Sequence, residues 1–175
     1  HLLTHTAGLP PFKQYFLMDG EAKTRLDSVF NTEPVIGIAE ETKYSDIGLI
    51  ILGKVVEKVS GFLLDELVDS LVFKPLGMNT TFYNPSPEKF RRIVPTEIAE
   101  GYRSGLIHGE VHDENAYSLG GVTGHAGLFS TAEDLAVFSQ MMLNGGIYGW
   151  KRIFKEKTIK LFTSKANVVE GSSPY

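Results

Sequence analysis

Residues 45–72, SDIGLIILGKVVEKVSGFLLDELVDSLV, set the strongest constraint on what this chain can fold into. Ile47, Ile50, Ile51, Val55 and Val59 recur at helical spacing, and Leu49, Leu52 and Val56 widen the stripe until most of the helix surface is apolar. Such a helix belongs inside a domain. Ser45 is placed to cap its first turn and Gly61 to end it. Leu63, Leu64, Leu67, Val68, Leu71 and Val72 form a second stripe that stops before Lys74-Pro75-Leu76-Gly77. Two helices are therefore expected to pack end to end around a glycine corner.

The flanking segments are read with less apolar surface to guide them. Leu26, Val29 and Phe30 give residues 19–31 a modest amphipathic signal for a helix. Residues 79–118 mix turn chemistry with short β-favouring pieces, which predicts loops and one or two short strands. Gly120, Gly121, Gly124 and Gly127 crowd one loop, where the backbone should turn or approach a neighbour too closely for a Cβ. Ser130-Thr131-Ala132-Glu133-Asp134 is a capping box for a helix that buries Leu135, Phe138, Met141 and Met142 and closes at Asn144-Gly145-Gly146. A last helix is expected near 155–164. The whole reads as one domain over 1–175, mainly α with a few short strands.

Composition removes several functions. A formal charge of -4, a pI near 5.7 and scattered Lys and Arg leave no electrostatic footprint for nucleic acid. Zero Cys excludes disulfides, thiolate nucleophiles and sulfur-ligated zinc, and leaves the compartment open. No apolar run reaches the roughly 18 residues of a membrane span. The chain opens on the dense HLLTHTAGLP with no initiator Met, which suggests a piece of something longer.

Four features could carry chemistry. Ser86-Pro87-Glu88-Lys89 matches Ser-x-x-Lys, in which one helical turn sets an amine beside a hydroxyl, but Ser, Pro and Glu in this order also simply begin an exposed helix. Ala116-Tyr117-Ser118-Leu119-Gly120 resembles a nucleophile elbow without the buried strand that should precede it. His108, His112 and His125, with Asp113 and Glu114, form a possible metal set, although the stretch from His108 to His112, with Gly109 and Val111 inside it, shows no helical stripe to align the rings. Tyr44, before the Ser45 cap, is either a packing residue or a proton carrier whose partners lie elsewhere.

The blocks HLLTHTAGLP at 1–10, YSDIGLIILGKVVEKVSG at 44–61, FKPLGMNTTFY at 73–83 and GLFSTAEDLAVFSQMMLNGG at 127–146 decide between these readings. In this order they resemble the serine β-lactamase and penicillin-binding-protein superfamily, in the branch of class C enzymes and related esterases. GEVHDENAYSLGGVTGHAGLFST at 109–131 is similar to β-lactamase-like modules fused to glycoside hydrolases in some bacteria. The resemblance implies the helical lobe of a fold that joins an α/β lobe to an all-α lobe. It identifies Tyr44 with the tyrosine of Tyr-x-Asn, a proton carrier beside the nucleophile, and puts Asp46 in the Asn position. An ionised Asp accepts hydrogen bonds where Asn both donates and accepts, which weakens the case for β-lactam turnover and puts an ester or a peptide with a free amine on an equal footing with it. His125-Ala126-Gly127 looks like His-x-Gly but falls where the family has a substrate-side loop.

The family's Ser-x-x-Lys would precede His1 and its Lys/His-Thr/Ser-Gly strand would follow Tyr175. The chain is therefore expected to be a fragment lacking its α/β lobe and inactive alone. The parent would perform acyl transfer on an amide, lactam or ester, without metal or cofactor, with a small molecule or cell-wall peptide as substrate, in a secreted or cell-envelope setting. The competing expectation is an accessory domain that binds cell-wall peptide through 112–127 without catalysis. Loss of the partner lobe would also expose apolar surface and promote self-association.

Overall fold

A computed structural model describes residues 1–166 of the 175. Helix α1, Ala22–Phe30, packs on helix α2, Asp46–Ser60. Ser45 Oγ accepts the Gly48 N–H at 3.2 Å and donates to the Pro10 carbonyl at 2.7 Å, so the cap also ties the helix mouth to the opening loop. Gly61, at φ 78°, ends α2 in the left-handed conformation that favours glycine. Leu9, Tyr15, Val29, Ile47 and Ile50 form the core around this end of α2, with Leu26 and Leu119 packed against them.

The second stripe is helical but not regular. Helix α3, Leu64–Val68, runs into a π-helical turn, Asp69–Phe73, and then into α4, Lys74–Leu76. A π turn adds one residue to the turn and rotates the following side chains by about 100°. Leu64 is buried before the turn and Phe73 and Leu76 at its end and beyond it, while Leu71, inside it, is exposed. Leu63, at the cap position, is exposed too, so the expected Leu63–Val72 stripe is only partly internal. The same correction applies to the far half of α2, where Val55 is exposed and Val59 is 83% exposed.

The strands are β1, Phe82–Tyr83, β2, Glu97–Ala99, β3, Gly105–Ile107, β4, Leu128–Phe129, β5, Ile147–Tyr148, and β6, Lys151–Arg152. They pair antiparallel as β1 with β4, β2 with β3, and β5 with β6, in three two-stranded sheets. Three of them fall within 79–118, more than the sequence suggested. A short helix, α5, Glu114–Ser118, also stands in a stretch read as non-helical, because Asp113 accepts the Ala116 N–H at 2.7 Å and caps it.

Helix α6, Ala132–Leu143, and helix α7, Glu156–Thr163, lie where expected. Thr131 rather than Ser130 caps α6, and the helix buries Asp134 and Met141. Leu135 is one position off that face and is exposed. Phe73, Leu76, Met78, Met141 and Ile159 make the second core. Among the described residues no helix is long and apolar enough to cross a membrane.

The β1–β4 ladder, in which Phe82 faces Phe129, returns the glycine-rich loop 119–128 toward α2. A Cβ on Gly124 would lie 2.2 Å from the Leu49 carbonyl oxygen, and one on Gly53 would lie 3.1 Å from the Gly124 nitrogen. Loop and helix thus meet backbone to backbone.

Candidate active site

The mouth of α2 gathers polar groups from four places in the chain. Tyr44 is half-buried, and its ring centroid lies 4.6 Å from that of His5 at a 43° tilt. His5 Nδ1 accepts the Ser45 N–H at 3.2 Å. Burial pulls the His5 pKa down, and the Asp46 carboxylate pulls the other way without restoring it. Asp46 occupies the first turn of α2, where the positive end of the helix dipole favours its charge.

His125 arrives on the loop that crosses α2. Its Nε2–H donates to Asp113 Oδ1 at 3.0 Å, and its side chain is 3% exposed. Its Nδ1 is buried with no hydrogen-bond partner among the described residues. Burial pushes the Asp113 pKa up, but the His125 ring and the Ala116 and Asn115 amides together outweigh it and hold the carboxyl below the usual range. Asp46, Asp113 and His125 each bring a ligand-capable atom within 4.8 Å of the other two.

Two carboxylates and an imidazole are donors that suit a divalent metal. Here, however, Nε2 is already committed to Asp113, and the positive end of α2 faces the Asp46 side chain. The metal set weighed from sequence is dispersed: His108 Nε2 lies 2.9 Å from the Phe90 and Ile93 carbonyl oxygens, and His112 pairs with Glu97 at 2.9 Å.

Tyr44, Asp46 and His125, singled out in the sequence, therefore fall at one helix mouth. Ala126 accepts from Thr123 Oγ1 at 2.9 Å, and Gly127 takes φ 113° where a Cβ would strike the Gly121 carbonyl. Both line a 370 Å³ cleft together with Asp113. Ser86 does not act as a nucleophile would: it stands at the start of a short 3₁₀ helix, Pro87–Arg92, its Oγ bonds the Glu88 carboxylate, and Lys89 rests over the Phe82 ring. Ser118 is buried in α5 and donates to the Asn115 carbonyl at 2.9 Å. Sequence reasoning weighed Asp113 only in the metal set with the histidines, not beside Tyr44, and missed His5 altogether. Asp113 was legible as a helix cap before ENAYS; nothing local marks His5.

The family model described as Beta-lactamase matches residues 1–173, and the chain belongs to this family of serine hydrolases. It is 38% identical over 185 residues to a Salmonella schwarzengrund protein provisionally named as a D-alanyl-D-alanine carboxypeptidase, covering 94% of this chain and 43% of that protein. The Yersinia pestis β-lactamase/D-alanine carboxypeptidase superposes with a TM-score of 0.63 at 18% identity, over 93% of this chain and 43% of the other. The D-amino acid amidase of Ochrobactrum anthropi SV3 gives a TM-score of 0.63 at 22% identity, over 91% and 45%. These structural likenesses establish the β-lactamase and transpeptidase-like fold. The chain spans less than half the length of the curated relatives it matches.

Proposed function

We propose that the chain forms most of the helical lobe of a penicillin-recognising serine hydrolase, and that Tyr44 carries a proton during acyl transfer. In this reading a serine from the rest of the protein attacks an amide, lactam or ester carbonyl, Tyr44 shuttles the proton, and water releases the acyl group. The observation that carries the proposal is the mouth of α2, where Tyr44 stands before a helix N-terminus amid His5, Asp46, Asp113 and His125. A phenol with a pKa near 10 needs positive surroundings to work as a base near neutrality, and the helix end supplies part of them. Asp46, which can only accept, favours an ester or a peptide bearing an amine over a substrate amide that must be recognised from both sides. The substrate class is a small molecule or cell-wall peptide, consistent with the name carried by the Salmonella relative.

The test uses the full-length protein that contains this chain. Tyr44→Phe should lower kcat/KM for a short-chain ester by roughly 10²–10⁴-fold, the range typical of a lost proton carrier. Retention of activity within threefold of the parent would sink the proposal. The 175-residue chain by itself should turn over neither that ester nor a chromogenic β-lactam.

A further inference from the structure

A second cleft adjoins the one beside Asp113. It has a volume of 480 Å³, within the range of small-molecule sites, and is lined by Phe82, Lys89, Arg92, Ile93, Val94 and Thr131 among others. The two clefts share Thr96, Leu128 and Phe129 as a common wall, so β4 runs between them. Their charges are opposite. Asp113 and Glu110 line the first, and Lys89 and Arg92 line the second.

Neither cation is spent on the fold. Among the described residues Lys89 and Arg92 make no ion pair, whereas Lys54, Lys74, Arg103 and Lys160 each have an acidic partner. Lys89 Nζ is held 3.8 Å from the Phe82 ring centroid, which fixes the ammonium at the cleft wall. The nearby hydroxyls cannot serve an anion as readily. Thr80 Oγ1 donates to Asp134 at 2.7 Å and shares a 2.9 Å bond with Thr131 Oγ1, so these protons are directed inward. The two cations are the free donors, set among apolar side chains.

We infer that this cleft is a recognition subsite for the carboxylate of an extended acyl or peptide chain, whose other end lies along Ala126, Gly127 and Asp113. The inference rests on the proposed hydrolase reading for the identity of the substrate, but the binding it states is independent of catalysis. Lys89 and Arg92 bind the carboxylate, Phe82, Ile93 and Phe129 pack against the chain, and the acidic end of the first cleft disfavours the reverse orientation.

The experiment is calorimetric titration of the full-length protein with two ligands of equal shape, D-alanyl-D-alaninamide capped by glutaryl and by 4-carbamoylbutanoyl, so that the cap carries the one carboxylate. At low salt the glutaryl peptide should bind about tenfold more tightly, as expected for one charge-assisted contact. Lys89→Gln with Arg92→Gln should erase that preference. Since Lys89→Gln also removes a ring contact, Arg92→Glu, at an exposed position, is the second variant and should reverse the preference. Equal affinity for both caps, binding of neither, or a preference that survives both variants would overturn the inference. Tyr44→Phe separates the two proposals: full turnover with an intact cap preference removes the proton carrier and leaves the subsite standing, whereas loss of turnover without any cap preference does the opposite.

Discussion

Asp134 near the start of α6 and Asp113 before α5 are chemically the same group put to different ends. Asp134 Oδ2 accepts from the Thr80 N–H at 2.9 Å, Thr80 Oγ1 at 2.7 Å and Thr81 Oγ1 at 2.8 Å. Thr131 and Ser130 hydroxyls back up those threonines, so the donors around this carboxylate all come from the fold. Asp113 is held by the Ala116 and Asn115 amides and by one imidazole, and a second carboxylate, Asp46, stands nearby. The first arrangement is a clasp between α6 and the segment after α4. The second lies at the mouth of α2, beside Tyr44, and is partly open to solvent where Asp134 is buried. Accessibility, rather than residue type or the number of donors, separates the structural acid from the one available to a ligand.

Substitutions should break this comparison in a definite order. Asp134→Ala leaves two threonine hydroxyls and an amide without their acceptor in a buried place, and should cost about 3 kcal/mol or more of unfolding free energy, read by urea denaturation. A loss below 1 kcal/mol would show that the clasp is dispensable. Asp113→Asn keeps a competent helix cap and weakens only the hold on His125, so stability should fall by about 1–2 kcal/mol while turnover of the full-length protein changes more than stability does. Equal effects on both would make Asp113 another clasp.

Acid titration sharpens the same contrast. Asp113 and Asp134 both have folded-state pKa values held below normal, so the unfolded chain binds more protons than the folded one in the interval between the two values. Their stabilisation is complete above about pH 4–5 and disappears as pH falls through the folded values. Asp134→Asn should flatten that acid limb, as followed by thermal melts from pH 7 to pH 3. His5 acts at higher pH and more weakly. Its folded pKa is depressed by burial, so the folded state resists protonation and stability begins to decline below about pH 6.5. The His5→Gln melt should lose this shallow slope; an unchanged slope would assign it to another group.

The sequence shows why part of this was readable beforehand. Ser45, Gly61 and the stripe through Ile47 and Ile50 predict α2 from local rules, and the capping box predicts α6 within a residue. Ser130 and Thr131 are both competent caps and Thr131 is the one used, but the burial of Asp134 depends on Thr80 and Thr81, more than 50 residues away, and no local rule turns it inward and leaves Leu135 in solvent. The π turn at 69–73 has no comparable local signature, so Leu71 could not be told from Phe73. For the site, Tyr44, Asp46 and His125 were legible through motifs. Asp113 stood beside His125 in the metal set without a link to Tyr44, and His5 was not marked at all, since their parts depend on contacts of 12 residues, to His125, and 40 residues, to Ser45.

Exposed apolar side chains cluster in sequence around the Gly61 corner, with Val55, Val59, Phe62 and Leu63 open to solvent. The opposite end of α2 carries the polar cluster. One helix therefore presents two kinds of surface, and self-association of the chain through the corner would leave Tyr44 and Asp46 uncovered.

Gly53 and Gly124 give the site its last physical consequence. With no side chain between helix and loop, the separation of His125 from Asp46 is gauged by main-chain atoms touching main-chain atoms. A single methyl group at position 124 would strike the Leu49 carbonyl and lift the imidazole away from its carboxylates.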